Sequence, residues 1–322
     1  MGGRLRVGLV GAGGVGARHA AVLAERDDAE LAWVTDVDER RARALADDHG
    51  AALRPDLDAL LEDRPDAVWL CVPPFAHGPA ERRLVEARVP FLVEKPLSAD
   101  LATAEELAAV VERSGLVTAT GYHWRGMPGV ERAAEALRDE PVLLASGAWW
   151  GPVPPVGWWG RQDLSGGQVV EQATHLLDVV RLLAGEVVRV VAREVAPGAE
   201  GAVAPAVTAS LDLASGGVAS LTATSLLPAR RAASVQLVGA RGALVEVDEE
   251  AVVLGGSLAP ERVPDGGEAK RRVVGDFLDA VRTRDASRVR APYAQALATH
   301  RVACAVVASA RTGEPVVLGD GA

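Results

Sequence analysis

The stretch Val7-Gly8-Leu9-Val10-Gly11-Ala12-Gly13-Gly14-Val15-Gly16 decides the fold of this chain. The apolar run Leu5 to Val10 predicts a buried strand, and Ala17 to Glu25 predicts the helix that follows it. Between them the glycines keep G-x-G-x-x-G spacing. Gly11 permits a tight turn, Gly13 lets the backbone approach a pyrophosphate, and Gly16 lets helix and strand pack closely. The helix start, Gly14 and Val15 included, offers unpaired N–H groups and a positive dipole end to phosphate. Twenty residues past Gly16, a second strand over Leu31 to Asp36 ends in an acid. A carboxylate at that point accepts hydrogen bonds from ribose hydroxyls and repels a 2′-phosphate. With Asp38 adding to the negative field, NAD is expected ahead of NADP; Arg40-Arg41 is the one counter-signal.

Working outward, short apolar runs alternate with helical stretches. Strands are expected at 67–72, 91–94 and 117–121, with helices at 38–49, 78–87 and 102–114. That alternation predicts βαβ units, hence a doubly wound parallel sheet covered on both faces. After residue 122 the pattern changes. A helix at 130–139, a strand at 142–150 and a Gly/Pro/Trp loop lead to one helix over Gln168 to Leu183. Strand-like runs follow at 187–195, 206–213, 218–226, 234–238, 244–247 and 252–254, separated by short Gly-rich links, and helices at 269–284 and 293–310 close the chain. The expected organisation is a Rossmann domain over 1–122 and an α+β domain over 123–322. The second would carry a large, open, mainly antiparallel sheet, substrate contacts and a surface for a homodimer or homotetramer.

The 322 residues carry a formal net charge of −10, which speaks against a nucleic-acid surface. An anionic substrate fits only if local Arg residues reverse that field. Arginine dominates: of 34 basic residues, only Lys95 and Lys270 are lysines. Two cysteines, Cys71 and Cys304, are too few for a disulfide framework or a Cys-rich metal site, and no metal is expected. The uncharged run Val142 to Gly160 is broken by four glycines and three prolines, which excludes it as a spanning helix. The expected location is the cytoplasm.

Two segments carry catalytic chemistry. Phe91-Leu92-Val93-Glu94-Lys95-Pro96 ends an extended run at the edge where ligands bind a parallel sheet. A lysine there, in a chain built with arginine, points to a compact and tunable ammonium; a surface lysine beside a loop proline is the plain alternative. In Glu171-Gln172-Ala173-Thr174-His175-Leu176-Leu177-Asp178, helical spacing places Glu171 and His175 at i and i+4, with Asp178 beside them. Carboxylate and imidazole on one face can divide orientation and proton transfer; an ordinary amphipathic helix reads the same way. Around them, Trp149, Trp150, Trp158 and Trp159 are either pocket walls or core and subunit contacts. Tyr122, His123 and Arg125 fall at the crevice between domains, Arg125 as substrate contact or hinge brace. His77 caps or lines the cofactor crevice, whereas His19, His49 and His300 show no partner pattern and read as structural.

In this order the segments resemble the glucose–fructose oxidoreductase / inositol dehydrogenase / MocA family. The resemblance includes Pro73-Pro74 with His77 and the Gly121-Tyr122-His123-Trp124-Arg125 region. It is specific over the first 180 residues and architectural beyond them. It implies nicotinamide-dependent oxidation or reduction of sugars, inositols and related polyols. Lys95 would hydrogen-bond the reacting oxygen and His175 would carry the hydroxyl proton, with Glu171 completing the catalytic set. Gly11, Gly13, Gly14, Val15, Gly16, Asp36, Pro73, His77, Glu94 and Lys95 would hold the cofactor, and His123, Arg125, Trp150, Trp159 and Asp178 the substrate. The chain departs from the pattern at Glu171, where many polyol dehydrogenases of that family carry Asp. One added methylene moves the carboxylate by about a bond length, which alters hydroxyl contacts when tolerances are below an ångström. The departure speaks against an inositol-type substrate rather than against hydride transfer. Two rival readings stay open: an NAD-dependent glycoside hydrolase that oxidises transiently, and a non-catalytic NAD-binding sensor.

Overall fold

The computed structural model describes residues 3–319. The chain opens with β1 (Leu5–Val10), α1 (Gly14–Ala24), β2 (Ala29–Thr35), α2 (Glu39–His49), β3 (Ala52–Leu53) and α3 (Leu57–Glu62). It continues through β4 (Ala67–Leu70), α4 (Pro79–Glu86), β5 (Phe91–Val93), α5 (Leu101–Ser114) and β6 (Thr118–Thr120). These strands form one parallel sheet in the order β3-β2-β1-β4-β5-β6. The order reverses between β1 and β4, and that switch point opens a crevice at the strands' carboxyl ends. Alternation along β4 fills both faces: Trp69 enters the core on one side, Val68 and Leu70 the core on the other. Asp38, Asp56 and Asp100 start α2, α3 and α5 by accepting backbone N–H groups of the first turn, and Gly50 and Gly115 end α2 and α5.

The second half runs α6 (Pro128–Leu137), β7 (Val142–Trp150), α7 (Gln162–Ser165), α8 (Thr174–Ala184), β8 (Val187–Glu194), β9 (Ala206–Leu213) and β10 (Val218–Thr224). It ends with β11 (Ala232–Gly239), β12 (Ala243–Asp248), β13 (Ala251–Gly256), β14 (Glu261–Pro264), α9 (Glu268–Thr283), α10 (Tyr293–Thr312) and β15 (Val316–Val317). Nine strands make one sheet in the order β14-β13-β12-β11-β7-β10-β9-β8-β15. It is antiparallel except where β7 lies parallel to β10. One face packs on α8 and α10 through Leu176, Leu177, Val180, Val302 and Val306. The other is open.

The fold departs from sequence expectation in two places that matter for the site. The single helix expected over Gln168 to Leu183 is instead a π-helical turn, Val169–Ala173, running into α8. The closing helices also do not keep to the second sheet alone. Val273, Val274, Phe277 and Leu278 of α9 join the core that covers β1, β4 and α1, and Ala291, Tyr293 and Ala296 join the core on the opposite face. Phe277 meets Trp69 edge-on at 5.1 Å. Apolar residues at i, i+1, i+4 and i+5 give α9 a stripe that suits the first sheet, so the chain returns to close that core.

Phe277→Ala is therefore expected to destabilise the whole molecule by about 3–5 kcal/mol. Urea unfolding followed by tryptophan fluorescence checks this; a loss confined to signals of the second half would contradict the shared core.

Candidate active site

The start of α1, the segments that follow β5 and β6, the π-helical turn and the Trp-rich loop after β7 enclose a cavity of about 690 Å³. Lys95 follows β5, and its peptide to Pro96 is cis. Its ammonium crosses to the second half, donating to the Glu171 backbone carbonyl at 2.5 Å and to Glu171 Oε1 at 3.1 Å. The other carboxylate oxygen, Oε2, accepts the Trp159 indole N–H at 2.9 Å. Glu171 is thereby pinned at both oxygens. An ammonium has three N–H groups; two hold Glu171, and the third has no partner among the described residues and can meet a ligand.

Glu94 anchors the cavity from the other side. Its Oε1 pairs with His19 Nε2 at 2.8 Å and its Oε2 accepts the Lys95 backbone N–H at 3.1 Å. Burial pushes this carboxyl up, but the hydrogen bond and charge of His19, with Lys95 and His123 nearby, hold it below its ordinary value. The imidazole of His175, on α8, packs against Trp124 and Trp149 with ring centroids 5.7 and 6.1 Å away and planes nearly parallel. His123 meets it edge-on at 5.0 Å. Burial first, then the charges of Lys95, His123 and Lys270, drive the His175 pKa well below the usual histidine value. Burial likewise lowers His123 to about 4. Both rings are neutral at neutral pH. His175 Nδ1 is buried without a partner among the described residues, yet the ring lines the cavity.

The glycine-rich turn fits a dinucleotide. A side chain on Gly11 would strike the Cys71 carbonyl at 2.2 Å, and one on Gly16 would strike the Gly11 carbonyl at 2.0 Å. At Gly13 a Cβ would meet nothing within 4 Å, so the start of α1 faces open space. The amides of its first turn have no intrahelical partner, and Gly14 and Val15 line the cavity. Asp36, just beyond β2, clasps the turn by accepting the Ala12 N–H at 2.6 Å and the Asp38 N–H at 2.8 Å. Each oxygen keeps lone-pair capacity for a ligand hydroxyl. Arg40 and Arg41 lean toward Asp38 instead.

The structure brings Lys95, Glu171, His175, His123, Glu94 and Trp159 together, but several expected contacts lie elsewhere. Arg125 and Asp178 form a bidentate pair, both bonds 2.7 Å, buried away from the cavity. Asp178 also accepts from Thr299, and Arg125 donates to the Arg290 carbonyl, so the pair braces the junction rather than touching substrate. Trp150 fails as a pocket wall because strand alternation turns it to the open face of the sheet, where its N–H bonds Thr222; Trp149 takes the inner side. His77 turns to Glu81 at 2.5 Å, whose other oxygen accepts the Gly78 N–H, so it fixes the loop after β4 rather than lining the cavity. Pro73 opens the short turn Pro74–Ala76 at the end of β4. His19, expected to be merely structural, is a cavity residue. Its only local signal was its position on the helix after the glycines. Arg18, Arg230, Glu249 and Lys270 also line the cavity and were not foreseen.

A larger hollow of about 1450 Å³ lies beside α5, α7 and α10, lined by residues such as Leu101, Val170 and Ala305. It holds none of the paired groups described above, so the chemistry is assigned to the smaller cavity. Among the described residues no cluster of three or more His, Cys, Asp or Glu is placed to hold a metal ion. No helix among them is long and apolar enough to cross a membrane.

This combination of parallel dinucleotide fold, Lys-Pro strand end and helical histidine defines a class of oxidoreductase, and comparison with known proteins makes it specific. Residues 5–122 match the description "Oxidoreductase family, NAD-binding Rossmann fold", and residues 142–245 match the "GFO/IDH/MocA C-terminal domain". The chain is 31% identical to an inositol 2-dehydrogenase of Rubrobacter xylanophilus, over 83% of this chain and 78% of that one. It is 31% identical to a UDP-N-acetylglucosamine 3-dehydrogenase of Acidithiobacillus ferrooxidans, over 70% of each. Among solved structures, GenD2 from gentamicin A biosynthesis, in complex with NAD, superposes with a TM-score of 0.86 at 25% identity. That match covers 99% of this chain and 98% of the other. The chain belongs to the Gfo/Idh/MocA family of oxidoreductases.

Removing one partner of a buried ion pair leaves the other uncompensated, so Arg125→Met is expected to cost about 3–5 kcal/mol in chemical denaturation. Its effect on substrate KM should be minor by comparison; a large KM change at unchanged stability would return Arg125 to the substrate.

Proposed function

We propose that this chain is an NAD(H)-dependent dehydrogenase that interconverts a hydroxyl and a keto group on a sugar, polyol or related small molecule. The observation that carries the reading is the convergence of Lys95 and His175 on one cavity that also receives the start of α1. When bound, a nicotinamide cofactor would supply the hydride acceptor for oxidation and the hydride donor for reduction. The first-turn amides of α1 would hold the pyrophosphate, and Asp36 would hold the adenosine ribose. Its charge disfavours a 2′-phosphate, which makes NAD the expected partner rather than NADP. The free N–H of Lys95 donates to the reacting oxygen and stabilises negative charge there. Neutral His175 accepts the hydroxyl proton in oxidation and gives it back in reduction. Glu171 and Trp159 hold the ammonium in place, and Trp158 with Pro154 and Pro155 walls the cavity with flat apolar surface suited to sugar C–H faces. The relatives named for inositol and UDP-N-acetylglucosamine oxidation support the substrate class.

Turnover of a sugar and polyol panel, read at the nicotinamide absorbance band, tests this reading. Lys95→Met should lower kcat/KM by roughly 10²–10⁴-fold while changing the NADH Kd far less. Sugar release with no net NADH would favour a hydrolase that oxidises transiently, and undiminished biological activity in Lys95→Met would favour a sensor. The pH profile is a second check. Because the His175 pKa is depressed, the ring stays unprotonated as pH falls through 6.5. Oxidation should therefore hold level to below that pH, and an acid limb centred at or above it would count against His175 as the base.

The open face of the nine-stranded sheet supports a homodimer or homotetramer. Leu144, Trp150, Val218, Leu244 and Val253 each leave more than a third of their surface exposed there, an apolar composition suited to pairing with a second copy. Light scattering should show an assembly that Leu144→Glu dissociates; a monomeric wild-type protein would refute it.

A further inference from the structure

Four cationic side chains line the cavity, and its carboxylates are already taken. Glu94 is held by His19, Glu171 by Lys95 and Trp159, and Glu249 by Arg230. Arg230 also lies over the Trp149 ring, 5.0 Å from its centroid, and so belongs to the wall. Arg18 and Lys270 remain with no hydrogen bond or ion pair among the described residues. Arg18 sits one turn into α1, beside the amides that face a pyrophosphate. Lys270 arrives from α9, and its charge bears on His123 and His175, the reacting end of the cavity. It is half-buried. Burial, then the charge of Arg18, pulls its ammonium below the ordinary lysine value. An unpaired, partly desolvated cation is costly unless a ligand completes it. The chain's two lysines line this one cavity, although arginine serves elsewhere. In a protein of net charge −10 the cavity thus runs against the overall sign.

We infer that the substrate of this cavity is an acidic sugar, bearing a carboxylate or phosphate that Lys270 receives, and not a neutral polyol. The inference rests on the dehydrogenase reading and narrows its substrate class. A compact ammonium suits a point contact with either anion on a substrate that has to turn its carbinol carbon toward His175.

The test uses the full chain saturated with NADH, titrated with D-glucose, D-gluconate, D-glucuronate and D-glucose 6-phosphate and followed by fluorescence of the bound cofactor. At least one acid should bind roughly tenfold or more tighter than glucose, the size of one charge-assisted contact discounted for partial exposure. Carboxylates and the phosphate report separately, so the panel identifies which anion is preferred. In Lys270→Met the ratio should collapse toward one, and Lys270→Arg should restore part of it. Glucose binding as tightly as every acid would overturn the inference while leaving NADH binding, and hence the dehydrogenase reading, intact. A Lys270→Met variant that keeps the ratio but loses NADH affinity would also overturn it, because the ammonium would then belong to the cofactor's pyrophosphate. Failure to bind NADH at all would sink the dehydrogenase reading, and this inference with it.

Discussion

The site depends on one cross-chain contact, the ammonium of Lys95 held by the backbone and side chain of Glu171. Lys95 comes from the edge of the parallel sheet and Glu171 from the π-helical turn before α8, so the contact forms only when the two halves are locked in register. The pair itself does not do that locking, since both side chains are largely withdrawn from water and the desolvation of two ions offsets much of their attraction. The apolar contacts of Phe277 with Trp69 and the buried Arg125–Asp178–Thr299 group fix the halves. Given that fixed frame, the Lys95–Glu171 pair orients. It sets the direction of one remaining N–H, which is what a reacting oxygen requires.

The π-helical turn belongs to the same constraint. Inserting it between Gly167 and α8 displaces Glu171 from a regular helical path, and such bulges recur at functional sites. Glutamate then reaches Lys95 with one oxygen and Trp159 with the other. The residue that departs from the family pattern at this position thus has a defined structural task. Its carboxylate is engaged by the protein, which leaves less of it for substrate hydroxyls and agrees with the argument against an inositol-type ligand.

What the sequence made visible follows the same physics. The glycine turn, Asp36, Lys95 and the Glu171–His175 segment are local patterns, in which the residues of the candidate site lie within a turn or strand of the residues that announce them. Trp149 and Trp150 differ only by strand parity, and an apolar run does not reveal which side meets the helices. Asp178 sits at the right spacing from His175 but faces Arg125, a partner 53 positions away. Lys270, Arg230 and Glu249 come from α9, from the link between β10 and β11 and from the turn between β12 and β13. Only the return of α9 to the first core carries Lys270 into the cavity, and no local pattern encodes that return.

Burial first, and then the nearby cations, weaken His175 as a base, and this looks at first like a fault. In the proposed reaction the same charges would act on the hydroxyl that gives up its proton. Coulomb energy falls with distance, so an oxygen in contact with Lys95 gains more as an alkoxide than the imidazolium loses from the same charge farther away. Net proton transfer is therefore favoured by a field that depresses the acceptor's own pKa. Burial against Trp124 and Trp149, the larger cause of the depression, also fixes the ring, because a neutral imidazole in an apolar wall would hold one orientation until an oxygen held by Lys95 is beside it.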